Sequence, residues 1–210
     1  PSVFINLLEG AGLITEYTLM MLEHVLSKVK GLMNTHPKLS CSFNVSALSL
    51  DTEFADSFLR ITNDSGMNPN NVIIELTESS AVSISKEALY AISRLKVSGF
   101  PLSIDDFGTG YSSIRQLAEL PFNELKVDRS FVMELENNMK SRAIVDATIE
   151  LAHSLNYRIV IEGVETNEQK CYLQNKANVI VQGYYFYKPM RFEKLDDIFA
   201  QQTQTGALNA

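Results

Sequence analysis

The pattern of apolar and polar positions changes period repeatedly along the chain. Over residues 13–33 apolar residues recur every three or four positions, which predicts an amphipathic helix. Short apolar runs then alternate with helix-like segments, which is typical of βαβ units and a parallel sheet. The predicted strands cover residues 39–45, 72–76, 102–104, 125–127, 158–161 and 179–181. The later predicted helices cover 53–61, 86–96, 113–120, 141–155, 168–175 and 193–201.

A polar side chain stands at the end of every predicted strand. These residues are Asn44, Glu75, Asp105 with Asp106, Lys126 with Asp128, Glu162 and Gln182. A doubly wound sheet concentrates its polar residues at one switch point, whereas every strand of a barrel contributes to a site at the C-terminal mouth. The α/β pattern therefore predicts a TIM-like (β/α)8 barrel. Because such a barrel closes with eight strands, we expect an N-terminal strand pair to be missing and two sheet edges to be open.

The pair Asp105 and Asp106 precedes a glycine turn and is the first candidate for chemistry. Repulsion between two adjacent carboxylates raises the pKa of one of them, so that it binds a proton unless a cation neutralises both. Divalent cations bind carboxylate oxygens readily. The same residues also fit an aspartate that caps a helix before a glycine turn. With Asn44 and Glu75 the pair offers most of a two-metal site, of the kind that activates water against a phosphoryl group.

Two further strand-end residues extend this chemistry. Glu162 completes the ligand set or orients the water. Lys126 lies inside an apolar strand, where a charged side chain needs an anionic partner; it neutralises a phosphate or holds the nucleophile. The pattern leaves these roles open.

Composition limits the class of protein. The 210 residues, 45% of them hydrophobic, predict one domain over 1–201 with a polar tail over 202–210. A net charge of −7 argues against a nucleic-acid polymer as partner, but bound metal ions would still permit a small anionic ligand. No apolar run approaches the ~20 residues of a membrane span. Two unpatterned cysteines suit a cytoplasmic protein, or the cytoplasmic part of a larger membrane-anchored one.

Five motifs in order resemble the EAL domains, which are bacterial phosphodiesterases that linearise cyclic di-GMP. The motifs are Ile74-Glu75-Leu76-Thr77-Glu78, Asp105 to Ser113, Leu125-Lys126-Val127-Asp128, Glu162-Gly163-Val164-Glu165-Thr166 and Gln182-Gly183-Tyr184. The likeness extends from Phe4 to Pro189. It implies a TIM-like barrel with one antiparallel strand, and hydrolysis of cyclic di-GMP to linear pGpG. It also implies Mg²⁺ or Mn²⁺, as two ions, with inhibition by Ca²⁺.

The resemblance implies a role for each motif residue. The metal ligands would be Asn44, Glu75, Asp105 and Glu162, with Asp106 shared between two ions. Lys126 would position the attacking water, acting with Asp106 and Glu162, while Gln182 and Asp128 support the site. Glu78 would hold the loop of Phe107, Gly108, Thr109, Gly110, Tyr111, Ser112 and Ser113, which in the family links the metal site to a dimer. The implied partners are cyclic di-GMP, a second copy of the chain, and an upstream sensory or cyclase domain.

One departure from the family leaves alternatives open. The Glu-Ala-Leu triplet, whose glutamate is a metal ligand, belongs by alignment a few tens of residues before Pro1, so we expect the chain to lack it. Glu9 aligns with a later family segment and is no substitute. The first alternative is therefore a module that binds cyclic di-GMP or a protein without catalysis. The second is a Schiff-base aldolase with Lys126 as nucleophile, although facing carboxylates would raise the lysine pKa that this chemistry needs lowered.

Overall fold

The computed structural model describes residues 2–82, 84–110 and 120–205. The helices are α1 (Ser2–Gly10), α2 (Ile14–Thr35), α3 (Thr52–Asp64), α4 (Glu78–Val82), α5 (Lys86–Val97), α6 (Arg129–Met133), α7 (Met139–Ser154), α8 (Asn167–Leu173) and α9 (Phe192–Thr205). Two 3-10 turns cover Ala47–Ser49 and Pro69–Asn71. The helix predicted over 113–120 lies outside the described residues except for Leu120.

All six predicted strands are present and form one parallel sheet. The strands are β1 (Cys41–Asn44), β2 (Val72–Thr77), β3 (Leu102–Phe107), β4 (Glu124–Val127), β5 (Arg158–Ile161) and β6 (Val179–Val181). Their spatial order is their chain order, with each strand parallel to the next. This order has no switch point and so differs from a doubly wound sheet. Crossovers between neighbouring parallel strands are right-handed as a rule, and in sequential strand order this rule puts the connecting helices on one face. In the described part of the chain, β1 and β6 are the edges.

Strand β3 continues three residues past its predicted end, through the aspartate pair. Its pairing with β4 shifts register between Ile104 and Phe107, and Asp106 has a φ of 57°. Bulges and left-handed residues interrupt the strict alternation of side chains along a strand, and aspartate tolerates positive φ better than most residues. The backbone therefore departs from regular strand geometry at this carboxylate pair.

Other boundaries differ where the sequence signal is weak. Helices α4 and α6 were not predicted, because five residues are too few to show a helical period. Helix α9 runs to Thr205, so the tail predicted over 202–210 begins as helix, and residues 206–210 lie outside the described part.

The core on the helical side of the sheet falls into two clusters. The first packs α2, α3 and α5 against β1 to β3, and Phe58 lies at its centre with 0% exposure. The ring of Phe58 lies 6.3 Å from that of Phe43, 5.6 Å from that of Phe54 and 5.3 Å from that of Phe100. The second cluster joins α6, α7 and α8 to β4, β5 and β6. Both clusters hold the strands whose ends carry the polar residues.

We predict that Phe58→Ala lowers the free energy of unfolding by about 3–5 kcal/mol, because three aromatic partners lose contacts around a cavity. Tyr90→Ala is the control, since Tyr90 is 75% exposed and surface changes stay within about 0.5 kcal/mol. Urea unfolding monitored by circular dichroism measures both. Equal losses in the two variants would show that Phe58 does not organise this core.

Candidate metal centre and active site

Lys126 lies at the centre of the polar residues at the C-terminal end of the sheet. Its Nζ is 3.1 Å from Glu75 Oε1, 2.9 Å from Asp105 Oδ1 and 2.7 Å from Glu162 Oε1. The lysine side chain is only 7% exposed. The carboxylates come from β2, from β3 and from the residue after β5, so the parallel order of the strands brings them together.

The surroundings keep Lys126 protonated. Burial lowers its pKa, but Glu75, followed by Glu162 and Asp105, outweighs this effect and holds the pKa of Lys126 above its ordinary value. A Schiff-base nucleophile must instead be a neutral amine. The geometry therefore opposes the aldolase alternative.

The carboxyl groups carry more negative charge than one lysine neutralises. Burial raises the pKa of Glu75, and Asp105 raises it further against the effect of Lys126. Burial likewise raises the pKa of Glu162. The pKa of Asp106 is raised by burial, then by Asp105 and Asp128. A cluster with raised carboxyl pKa values has room for further positive charge.

The donor atoms fit a hard metal ion. Carboxylate oxygens of Asp105, Asp106 and Glu162 all lie within 4.8 Å of one another. Asp105 Oδ1 is buried and accepts no hydrogen bond of good geometry, although the Lys126 ammonium is close to it. An orphaned buried carboxylate oxygen within an all-oxygen donor set suits Mg²⁺, Mn²⁺ or Ca²⁺.

Asn44 and Glu9 lie in a neighbouring cavity of about 670 Å³, which Asp106 also lines. Asn44 is paired in register with Glu75. Ser46 Oγ donates a hydrogen bond of 2.7 Å to Glu9 Oε1. Glu9 was not expected at the site, because its proximity to Asn44 depends on how α1 packs, which no local pattern reveals.

Gln182 and Asp128 contact the cluster from its periphery. Gln182 Nε2 donates a hydrogen bond of 2.6 Å to Glu162 Oε1. Asp128 caps α6 by accepting a hydrogen bond from the Ser130 N–H at 2.9 Å. Gln182 thus lies beside the Glu162 carboxylate, and the Asp128 side chain interacts with the Asp106 carboxyl.

A second cavity of about 380 Å³ adjoins Glu162 and was missed by the sequence analysis. Its lining includes Arg129, Tyr184 and Lys188. Gly163 has a φ of 72°, and a Cβ there would lie 2.4 Å from the Cβ of Arg129. Gly163 therefore permits the close approach that forms this wall.

Glu78 holds the loop after β3. It is 3% exposed, and its Oε2 accepts hydrogen bonds from the N–H groups of Gly108 at 2.8 Å and Gly110 at 2.9 Å. The Thr109 hydroxyl donates to the Asp106 carbonyl at 2.8 Å. These bonds connect the loop backbone to Glu78 and to Asp106, whose carboxylate belongs to the candidate centre. Phe107 ends β3, while Tyr111, Ser112 and Ser113 lie outside the described residues.

The family model of the EAL domain matches residues 1–189 of the chain. The chain belongs to the EAL domain family. The fold class is confirmed by the PaMucR phosphodiesterase in complex with c-di-GMP, which is 35% identical, has a TM-score of 0.86, and aligns over 93% of this chain and 80% of its own. The antiparallel strand expected for the family is not among the described strands, which all pair in parallel.

Curated relatives of this EAL domain are longer proteins. It is 31% identical to the cyclic di-GMP phosphodiesterase RocR of Pseudomonas aeruginosa, over 90% of this chain and 49% of RocR. The chain therefore spans about half the length of that relative. Klebsiella pneumoniae BlrP1 is similar in structure, with 26% identity, a TM-score of 0.75 and coverage of 81% of this chain and 44% of BlrP1, in a complex with manganese and cy-diGMP.

The letters Glu-Ala-Leu do occur in this EAL domain, so the prediction that the chain lacks them is wrong as a statement about letters. They stand at Glu87-Ala88-Leu89 in the first turns of α5, where Ser85 caps the helix. Glu87 is exposed, and it follows a helix cap rather than an apolar strand. This triplet is therefore not in the place of the metal-binding motif.

In the described part of the EAL domain, none of the helices is long and apolar enough to cross a membrane.

We predict that Glu78→Ala weakens Mn²⁺ binding, although no metal donor is removed from the Asp105, Asp106 and Glu162 group. The loop would lose the charged acceptor of two backbone N–H groups, and a hydrogen bond to a charged group contributes about 1.5–3 kcal/mol. Glu87→Ala is the matched control, because Glu87 is an exposed glutamate. Calorimetric titration of both variants measures the effect. Identical Mn²⁺ isotherms would show that Glu78 does not position the centre.

Proposed function

We propose that this EAL domain hydrolyses one phosphodiester bond of cyclic di-GMP and releases linear pGpG. The observation that carries the proposal is the convergence of Glu75, Asp105 and Glu162 on Lys126, beside Asp106. A buried lysine among metal-type donors suits catalysis by positioning and charge. The similarity to phosphodiesterases that are bound to the dinucleotide or named for its hydrolysis supports the choice of substrate.

The proposed metal ligands are Asn44, Glu75, Asp105, Asp106 and Glu162, holding two ions of Mg²⁺ or Mn²⁺. When bound, such ions polarise a phosphoryl oxygen and make a water molecule more acidic. Lys126 remains protonated and donates hydrogen bonds to the water and to developing negative charge. Glu162, held by Gln182, would orient the same water by accepting a hydrogen bond from it. Asp106 is kept in position by the loop that Glu78 binds.

A module that binds cyclic di-GMP without cleaving it is the second candidate. The Glu87-Ala88-Leu89 triplet lies on a helix and adds no carboxylate to the group of Asp105, Asp106 and Glu162. A centre with few donors favours binding over turnover. Calorimetry with cyclic di-GMP, followed by chromatography for pGpG, separates the two candidates. Binding without pGpG release would establish the module.

Further features of the proposal concern the whole protein. We propose a homodimer that depends on the loop after β3, a cytoplasmic location for the domain, and regulation by a sensory or cyclase domain encoded upstream. The relatives support the last point, since each is about twice as long as this chain or longer. Analytical ultracentrifugation of the full-length protein and of Glu78→Ala tests the dimer.

We predict that Lys126→Ala in the full-length protein lowers the rate of pGpG release by about 10²–10³, while affinity for cyclic di-GMP falls much less. The reason is that Lys126 is proposed to contact the attacking water and not a guanine base of the ligand. Lys176→Ala is the control, because Lys176 pairs with Asp146 outside the centre. Parallel losses of affinity and rate in Lys126→Ala would refute the assignment.

We predict that Ca²⁺ binds the centre and inhibits pGpG release, because it tolerates longer and looser coordination than Mg²⁺. Mg²⁺ and Mn²⁺ should support release, and added Ca²⁺ should suppress it in competition with Mn²⁺. Product chromatography across a matrix of the three ions checks this. Equal rates with Ca²⁺ and Mn²⁺ would show that coordination geometry does not limit the reaction.

A further inference from the structure

The ammonium of Lys126 lies where a cation would neutralise the centre. Its three contacts, to Glu75, Asp105 and Glu162, are at 3.1, 2.9 and 2.7 Å. A lysine ammonium has three N–H donors and no acceptor, so it suits three convergent carboxylates. The three contacts link strands β2, β3 and β4 and the residue after β5.

The lysine and the proposed metal draw on overlapping oxygen donors. Asp105 and Glu162 contact Lys126 and also belong to the group whose carboxylate oxygens lie within 4.8 Å of one another. Asp106 belongs to that group as well, and the Lys126 charge acts on its carboxyl from farther away than on the other three carboxylates. A metal ion that takes oxygens of Asp105 and Glu162 therefore competes with the ammonium for the same carboxylates.

The charge balance gives Lys126 a second effect. Glu75 and Lys126 are buried, and Asp105 and Glu162 have side chains 14% and 17% exposed. Removing one member of a buried ionic cluster leaves uncompensated charge, which is strongly destabilising. In the metal-free protein, the ammonium therefore offsets the repulsion among three carboxylates.

We propose that Lys126 is an internal counter-ion that holds the metal ligands together before metal binds and competes with metal for Asp105 and Glu162, so that it sets the metal affinity of the centre. The inference rests on the proposed function, because it takes these carboxylates as metal ligands. It assigns Lys126 a positioning role that is separate from any contact with water or substrate.

The test uses Lys126→Met in the full-length protein, because methionine keeps an unbranched apolar stem without the charge. The metal-free variant, treated with a chelator, should melt at a lower temperature than the wild type. Its Mn²⁺ affinity should be about tenfold higher or more, because a positive charge beside the divalent ion has been removed. Mn²⁺ should therefore raise the melting temperature of the variant more than that of the wild type.

Lys176→Met is the matched control. Lys176 also pairs with a carboxylate, Asp146 Oδ1, at 2.8 Å, but outside the centre. Its loss should leave the Mn²⁺ isotherm unchanged. A Lys126→Met protein that folds only with Mn²⁺ present supports the counter-ion role. Equal or weaker Mn²⁺ binding by a folded Lys126→Met overturns it while the metal site stands, whereas a wild type that binds no Mn²⁺ overturns both the inference and the proposed metal site.

A second measurement needs no variant. Crystal structures of the wild type with and without Mg²⁺ should show Lys126 Nζ moving out of hydrogen-bond distance from Asp105 or Glu162 when the ion binds. An ammonium that keeps all three carboxylate contacts beside a bound ion would overturn the competition.

Discussion

The repulsion among carboxylates at one end of the sheet is the constraint on which the site depends. Glu75, Asp105 and Glu162 are drawn together because parallel strands in sequential order end on the same side. Water does not solvate them fully there, and their surroundings raise the pKa of Glu75 and of Glu162 mainly by burial. Lys126 on β4 is the positive charge that makes this arrangement tolerable in the metal-free fold.

The same constraint explains why β3 is irregular. An undistorted strand would direct Asp105 and Asp106 to opposite faces. The register shift and the positive φ of Asp106 bring both carboxylates to one group with Glu162. Left-handed backbone at an aspartate persists only where its surroundings hold it. Here Glu78 binds the N–H groups of Gly108 and Gly110 just beyond it.

The sequence predicted the parts of the fold and site that depend on local patterns. All six strands were predicted, because each apolar run lies between amphipathic segments. The predicted end of β3 was wrong by three residues, because Asp105 and Asp106 look like loop residues when only hydrophobicity is considered. The cavity positions of Glu9 and Arg129 depend on packing between elements distant in sequence, and no spacing rule contains that information. The Glu87-Ala88-Leu89 triplet shows that a matching local sequence does not ensure a matching position, since this triplet lies on a helix and not on a strand.

Catalysis and simple binding make different demands on Lys126. A module that only holds a dianionic dinucleotide gains from positive charge at its surface, where the ligand can reach it. Lys126 is instead buried behind three carboxylates, each with an oxygen within 3.1 Å of its Nζ. In the competition that we propose, Lys126 becomes available to water or phosphate only when other positive charge takes over part of its role among those carboxylates. Release of the Lys126 ammonium would then depend on metal binding at the centre. A metal-dependent hydrolase needs this dependence, and a module that only binds does not.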